Sequence, residues 1–136
     1  MPPVKIASVA RERIGGKHGL AWKALAAVML TNGSIALVAP RFLARRLGVR
    51  PEAQPATLYV LRMFGIRTVL VATDLCFQPR RRRHLLREGI VMHSSDAAAA
   101  LIAAAFGQLP VRAGLMAGAI STMNTALCLL GSRRRR

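Results

Sequence analysis

The chain has few acidic side chains, few aromatic ones and only two cysteines. Of its 136 residues, 5 are Asp or Glu against 21 Lys or Arg, aromatic residues make up 4%, and the net charge is +16. Cys76 and Cys128 are too few for a disulfide framework. The arginine runs at 80–83 and 133–136 contain no aromatic residue to stack on bases, so we expect no nucleic-acid partner.

Sequence motifs for catalysis are also missing. There is no nucleotide-binding glycine loop, no nucleophile elbow and no HExxH. The three histidines, His18, His84 and His93, include no pair at metal-ligand spacing. We therefore expect a protein that is not an enzyme, with no catalytic residue, no metal site and no cofactor. Metal or haem binding by His93 is the weakest of the alternatives.

Four apolar stretches alternate with clusters of arginine. Hydrophobic residues make up 53% of the chain, and the stretches cover residues 20–39, 57–77, 89–109 and 111–131. Each has about the 20 residues that a helix needs to cross a bilayer. A helix in a soluble core would have a polar face, and 96–107 (DAAAALIAAAFG) has none after its aspartate. The pattern predicts an all-α integral membrane protein, an antiparallel four-helix bundle.

The flanking segments complete this organisation. Residues 1–19 form a basic lead, 20–131 the transmembrane domain and 132–136 a basic tail. A signal peptide is the alternative for the first stretch, but that stretch is long for one and lacks a clear cleavage site before Pro40. Within the first loop, 41–49 (RFLARRLGV) fits an interfacial helix or a solvated turn equally well.

The positive-inside rule predicts the orientation of the bundle. With four spans, the N-terminus, the 78–88 loop and the C-terminus share one side. That side carries thirteen basic residues: Lys5, Arg11, Arg13, Lys17, Arg80–Arg83, Arg87 and Arg133–Arg136. The opposite side carries five: Arg41, Arg45, Arg46, Arg50 and Arg112. Both termini are therefore predicted to be cytoplasmic, with the arginine clusters meeting anionic lipid headgroups.

Polar residues within the apolar stretches are the candidate site. Ionisable groups are expensive in a membrane and normally face the bundle interior. Arg67 and Asp74 are two helical turns apart, and His93 and Asp96 are i, i+3 neighbours. Depth along the helices predicts a buried network in which Arg67 pairs with Asp96, Asp74 or both, completed by His93 and Asn124. Either it fixes helix register, or it forms a polar pocket for a ligand or for proton relay.

Three glycines are predicted to mediate helix packing. Gly65 lies between two arginines of the second stretch, where the missing side chain lets another helix approach. Gly114 and Gly118 have the GxxxG spacing of membrane helix pairs. Packing within the bundle and contact with another protein explain them equally well.

The run Leu61-Arg62-Met63-Phe64-Gly65-Ile66-Arg67, followed by a basic loop and by Asp96, resembles small bacterial four-span membrane proteins of unknown function, loosely similar to DoxX-like proteins. The resemblance covers roughly 20–131. It implies a four-helix architecture in the bacterial inner membrane and no particular activity.

The leading functional hypothesis is a non-enzymatic accessory or assembly subunit of a larger membrane complex, because four short-looped helices leave little chain outside the membrane. Its partners would be other membrane subunits or further copies of itself. The alternative is a small transporter or a protein that binds a lipid- or quinone-type ligand through the Arg67, Asp74, His93 and Asp96 pocket.

Overall fold

A computed structural model describes residues 16–133, and within that range the chain forms five α-helices and no strand. The predicted all-α class is confirmed. Most of the basic N-terminal lead and the arginines after Arg133 lie outside the described residues. The helices are α1 (Lys17–Val38), α2 (Pro40–Arg46), α3 (Ala56–Phe77), α4 (Arg82–Ala105) and α5 (Val111–Ser132).

The four long helices run up and down and pack as two tight pairs. α4 packs against α5 and α1 packs against α3, while a smaller contact between α1 and α5 joins the pairs. α3 and α4 follow each other in the chain but touch at few positions. We call this open side of the bundle, between α3 and α4, the seam. At one end, α1 and α4 begin and α3 and α5 end. We call it the arginine end, because it includes the Arg80–Arg83 run.

α4 lies earlier in the chain than the third apolar stretch predicted. It covers 82–105, whereas the prediction was a span at 89–109 after a loop at 78–88. The loop is only 78–81, because Arg, Leu and Glu are good helix formers and continue the helix through 82–88. At its other end, Gly107 has φ +69 and stops the helix. The amide of Gln108 donates to the carbonyl of Ala103 (2.8 Å), as in a glycine-capped helix end.

Residues 41–49, left open between a helix and a turn, form the helix α2 followed by a turn. Gly48 has φ +80 and the amide of Val49 donates to the carbonyl of Ala44 (3.0 Å), so α2 has a glycine cap as well. Arg45 donates to the carboxylate of Glu52 at 2.8 Å, and this hydrogen bond lowers the pKa of Glu52. That α2 lies on a lipid surface stays a prediction.

Alanine and glycine make up most of the interior, which also holds Leu25, Met29, Leu75 and Leu86, and many large apolar residues lie on the exterior. Eight of the fourteen buried hydrophobic residues are alanines, and Gly33, Gly65, Gly89, Gly114 and Gly118 are buried too. The exposed large side chains include Leu20, Tyr59, Leu70, Val91, Phe106 and Leu115. The large number of exposed apolar residues differs from a soluble domain, in which such residues are most often inside.

Two helical segments in the described part of the chain are long and apolar enough to cross a membrane: His18–Val38 and Val111–Ser132. Only 33% and 28% of the residues in their apolar windows are buried. Most of each segment therefore faces outward, unlike a helix in a soluble core.

Candidate functional site

The structure brings two of the predicted site residues together across the seam. Nη2 of Arg67 (α3) lies 3.4 Å from Oδ2 of Asp96 (α4). This is longer than the roughly 2.7–2.9 Å of a tight charged hydrogen bond. At 1.5 Å per residue, Arg67 lies about 15 Å from either end of its helix. The pair therefore lies near the middle of the bundle, on the side where its helices are least packed.

The Arg67–Asp96 pair is open to the surroundings, not enclosed as predicted. The side chains are 52% and 32% exposed, respectively. The guanidinium also lies 5.9 Å from the ring centroid of Phe64, one turn earlier in α3. The seam explains the exposure, since no helix covers the pair from outside. The predicted burial of this part of the network is therefore wrong.

His93 and Asn124 are buried, but they do not complete a network with the ion pair. Nε2 of His93 and Oδ1 of Asn124 have no hydrogen-bond partner among residues 16–133. His93 lies within electrostatic reach of Arg67 and Asp96 without a hydrogen bond to either. The predicted cluster thus separates into an exposed ion pair at the seam and two unsatisfied polar atoms in the interior. Each unsatisfied atom lowers the stability of the fold by roughly 1–3 kcal/mol.

Asp74 is half-buried and stands apart from the other predicted residues. It is seven residues beyond Arg67, which places it about 10 Å farther along α3. Its carboxylate forms no ion pair with any residue in the range 16–133. Of the two predicted partners of Arg67, only Asp96 is therefore observed.

A cavity of about 460 Å³ opens on the seam toward the arginine end. Val71 of α3 forms one wall, and α4 forms the other with Leu85, Glu88, Val91 and Met92. Most of this lining is apolar. Glu88 is the exception, and its carboxylate lies 3.1 Å from Nε2 of His84. The seam therefore combines an apolar groove with an ion pair at mid-depth.

Gly65 allows the closest approach between α1 and α3. A methyl group added there would stand 2.6 Å from the carbonyl oxygen of Gly33 and 2.8 Å from the amide nitrogen of Leu37. Both are backbone atoms, so no side chain can rotate away. The two helices therefore meet backbone to backbone, as small residues allow in membrane bundles.

The other two predicted packing glycines lie between α4 and α5. A Cβ at Gly114 would collide with the Cβ of Ala104 and stand 2.9 Å from the carbonyl of Ala100. At Gly118 it would meet only the end of the Leu101 side chain, at 3.1 Å. Both glycines pack within the bundle, so they are not available for contact with another protein.

Arg82 connects three helices at the arginine end, a contact that the sequence pattern did not predict. Its Nε and Nη2 donate to the carbonyls of Leu75 (2.9 Å) and Cys76 (3.1 Å), the last turn of α3. Its guanidinium stacks on the ring of Trp22 in α1, 3.8 Å from the centroid. One side chain of α4 therefore holds three helices. The position of Arg82 shortly after the end of α3 was a signal for this contact, because a cation there can bind the free carbonyls of the helix.

Substituting Arg82→Lys should destabilise the bundle by about 1–3 kcal/mol, although the charge is kept. A single ammonium cannot bind both carbonyls and stack on Trp22 in the geometry of a planar guanidinium. Unfolding in detergent, followed by the fluorescence of Trp22, measures the effect. Arg81→Lys, at a neighbouring exposed arginine, is the matched control. Equal stability of the two variants would show that these contacts of Arg82 contribute nothing to the stability of the bundle.

A second contact closes the same end. Nδ1 of His18, in the first turn of α1, lies 2.7 Å from the carbonyl oxygen of Leu130 in the last turn of α5. The last carbonyls of a helix have no partner within it, and His18 supplies one. The C-terminal ends of α3 and α5 are thus both bound by side chains from other helices.

Metal-binding chemistry gains no support from the arrangement. No group of three or more His, Cys, Asp or Glu side chains in residues 16–133 is placed to hold a metal ion.

Comparison with protein-family models, curated proteins and solved structures finds no match for this chain. The resemblance of Leu61–Arg67 to DoxX-like proteins stays a prediction.

Proposed function

We propose that the chain is an integral membrane protein whose four long helices all cross the bilayer, with both termini on the cytoplasmic side. The observation that carries this proposal is an exterior rich in large apolar residues around an interior made mostly of alanine and glycine. Lipid tails solvate such an exterior, and small residues let helices pack where no hydrophobic effect drives them together. The basic residues at the arginine end would face the cytoplasm.

α3 and α4 each carry a charged residue near the middle of their length, Arg67 in α3 and Asp96 in α4. Arg67 and Asp96 compensate each other across the seam, and α4 begins with arginines that would lie among the headgroups. An ion pair lowers the cost that either charge would have alone in the membrane. The two helices are therefore proposed to cross as partners.

Cysteine labelling tests this topology. In a background of Cys76→Ser and Cys128→Ala, single cysteines replace Gln54, Gln108 or Arg80, all of which are exposed. A membrane-impermeant thiol reagent added to intact cells should label positions 54 and 108 but not 80. Broken cells should give labelling at all three. Labelling of position 80 in intact cells, or release of the protein by alkaline carbonate, would contradict the proposal.

Within the membrane, we propose a non-enzymatic accessory or assembly role in which the seam receives a transmembrane helix of a larger partner protein. The supporting observation is the half-exposed Arg67–Asp96 pair at mid-depth. Lipid tails offer it no hydrogen bond, whereas a polar side chain on a partner helix would. The apolar groove beside the pair suits the rest of such a helix.

The second candidate is a lipid- or quinone-type ligand held in the seam. The cavity of about 460 Å³ favours it, since ligand pockets commonly hold several hundred Å³. Arg67 would then donate to a carbonyl or phosphate oxygen of the ligand. A second copy of the chain is a further possible occupant.

Purification in mild detergent with a filled seam separates these possibilities. Val91→Trp places a large ring in the groove, and Leu129→Trp places the same ring on an exposed position of α5. We expect a larger partner to copurify with the wild-type protein and with Leu129→Trp, but not with Val91→Trp. A small molecule lost only from Val91→Trp would favour the ligand instead. A lone oligomer in every case would contradict the accessory role.

A further inference from the structure

We propose that the arginine end contains a specific binding site for the phosphate headgroup of an anionic phospholipid, formed between α1, α4 and α5. The inference builds on the proposed membrane topology, which would place this end at the cytoplasmic headgroup layer. It is distinct from the seam, because it lies among the helix ends and uses none of the residues that line the groove.

The site is a cavity of about 310 Å³. Arg82, Arg83 and Arg133 contribute three guanidinium-bearing side chains to its wall, and no acidic residue lines it. Trp22 and Leu86 supply apolar surface. A lining that combines cationic and apolar side chains matches a phospholipid headgroup, in which a phosphate adjoins glycerol carbons and acyl chains.

Arg82 is held in a fixed orientation before any ligand arrives. Its stacking on Trp22 and its two hydrogen bonds to the end of α3 restrict the guanidinium. A guanidinium carries five N–H donors, so donors remain for a phosphate oxygen. Binding then loses less side-chain entropy than it would at a mobile surface arginine.

The helix ends around the cavity have opposing effects on an anion. The carbonyls at the ends of α3 and α5 would repel it, because a helix C-terminus carries partial negative charge. Arg82 binds two of the α3 carbonyls and His18 binds that of Leu130. These contacts offset the repulsion, and the start of α4 adds a partial positive charge.

The opposite end of the bundle provides a comparison. It also has a cavity lined by arginines, Arg45 and Arg50, but Glu52 lines the same cavity and pairs with Arg45 at 2.8 Å. A carboxylate in that position repels phosphate and occupies one of the two arginines. Arginine residues in a cavity are therefore not sufficient for a headgroup site. The opposite end provides the matched control for the binding experiment.

Exposed apolar residues at the same end of the bundle favour a lipid over free phosphate. Leu20, Phe77 and Leu130 are 69%, 79% and 45% exposed, and they lie near the same ends of α1, α3 and α5. An occupant with acyl chains covers this surface, whereas inorganic phosphate leaves it bare. Because burying acyl methylenes is favourable, a headgroup that carries acyl chains should bind far more tightly than the free ion.

The test measures lipid binding to the full-length protein in detergent, using native mass spectrometry and thermal unfolding. The probes are phosphatidylglycerol, zwitterionic phosphatidylcholine and inorganic phosphate. The site variant is Arg83→Gln/Arg133→Gln, and the control variant is Arg46→Gln/Arg50→Gln at the opposite end. Phosphatidylglycerol should bind and raise the Tm of the wild-type and control proteins, and phosphatidylcholine and phosphate should not.

In the site variant, the affinity for phosphatidylglycerol should fall about thirtyfold, since each arginine near an anionic lipid contributes a factor of about five. Equal losses in both variants would overturn the proposal, and so would equal stabilisation by inorganic phosphate, which would indicate a free-anion site. If the double variant does not fold, Arg133→Gln alone, beyond the end of α5, should still weaken binding several-fold. Carbonate extraction is scored in parallel: loss of lipid binding with retained membrane insertion rejects only the headgroup site.

Discussion

Substituting Gly65→Leu should prevent the chain from accumulating as a folded protein, and Gly65→Ala should destabilise it by about 1–3 kcal/mol or more. A methyl group at this position would overlap the backbone of α1 at Gly33 and Leu37. Relief requires α1 and α3 to move apart, which separates one of the two tight pairs of the bundle. Leucine extends the same clash by several atoms.

Gly118→Ala is the matched control, because it adds the same methyl group to a buried glycine of another helix. There the new atom meets only the end of Leu101, a side chain 46% exposed and able to move. We expect nearly wild-type stability. The level of membrane-inserted protein and unfolding in detergent, followed by the fluorescence of Trp22, measure all three variants. If Gly65→Ala proved as stable as Gly118→Ala, the close backbone contact between α1 and α3 would be refuted.

The second large effect is expected at the ion pair of the seam. Arg67→Gln and Asp96→Asn should each lower the free energy of unfolding, because each leaves an uncompensated charge at mid-depth. In the proposed membrane topology, a lone ionisable group there costs about 2.5–3.5 kcal/mol on insertion scales. The double variant removes both charges and should be more stable than the sum of the single effects predicts, with a coupling of about 0.5–3 kcal/mol.

Arg62→Gln is the control for the loss of an arginine from the same helix. Arg62 lies closer to the start of α3, where its long side chain can reach the interface, so we expect a small effect. Additive losses in the Arg67/Asp96 cycle would show that the two side chains do not interact.

The same cycle separates a structural from a binding role of the pair. If both single variants insert and fold normally but lose a copurifying protein or ligand, the ion pair has a role in binding. If the variants fail to accumulate, the ion pair is needed for the stability of the bundle.

Local sequence pattern was enough to predict three of the four long helices, because length and hydrophobicity are read directly along the chain. The ends of α1, α3 and α5 lie within three residues of those predicted. α4 was misplaced because arginines were read as loop residues, although arginine is a good helix former. Hydropathy identifies which residues prefer lipid, but it does not show where a helix begins.

The candidate site was only partly predictable. Helical spacing and depth gave Asp96 and Asp74 as the candidate partners of Arg67, since opposite charges at similar depth have few alternatives in an apolar bundle, and Asp96 is the one observed. The same argument placed His93 and Asn124 in the network, and that prediction was wrong. Depth along the bundle does not give the rotation of each helix about its own axis, and this rotation points both side chains into the interior.

The sequence by itself determined that this chain is all-α, that its long helices alternate with arginine clusters, and that Arg67 needed a partner, with Asp96 and Asp74 as the candidates. These follow from residue type and spacing within single helices. Only the tertiary structure decided that α3 and α4 leave a seam, that the ion pair is exposed there, and that Arg82 joins α4 to Trp22 and to the end of α3. Those features depend on distances between residues far apart in the chain, which are set by how closely glycine and alanine allow each helix pair to pack.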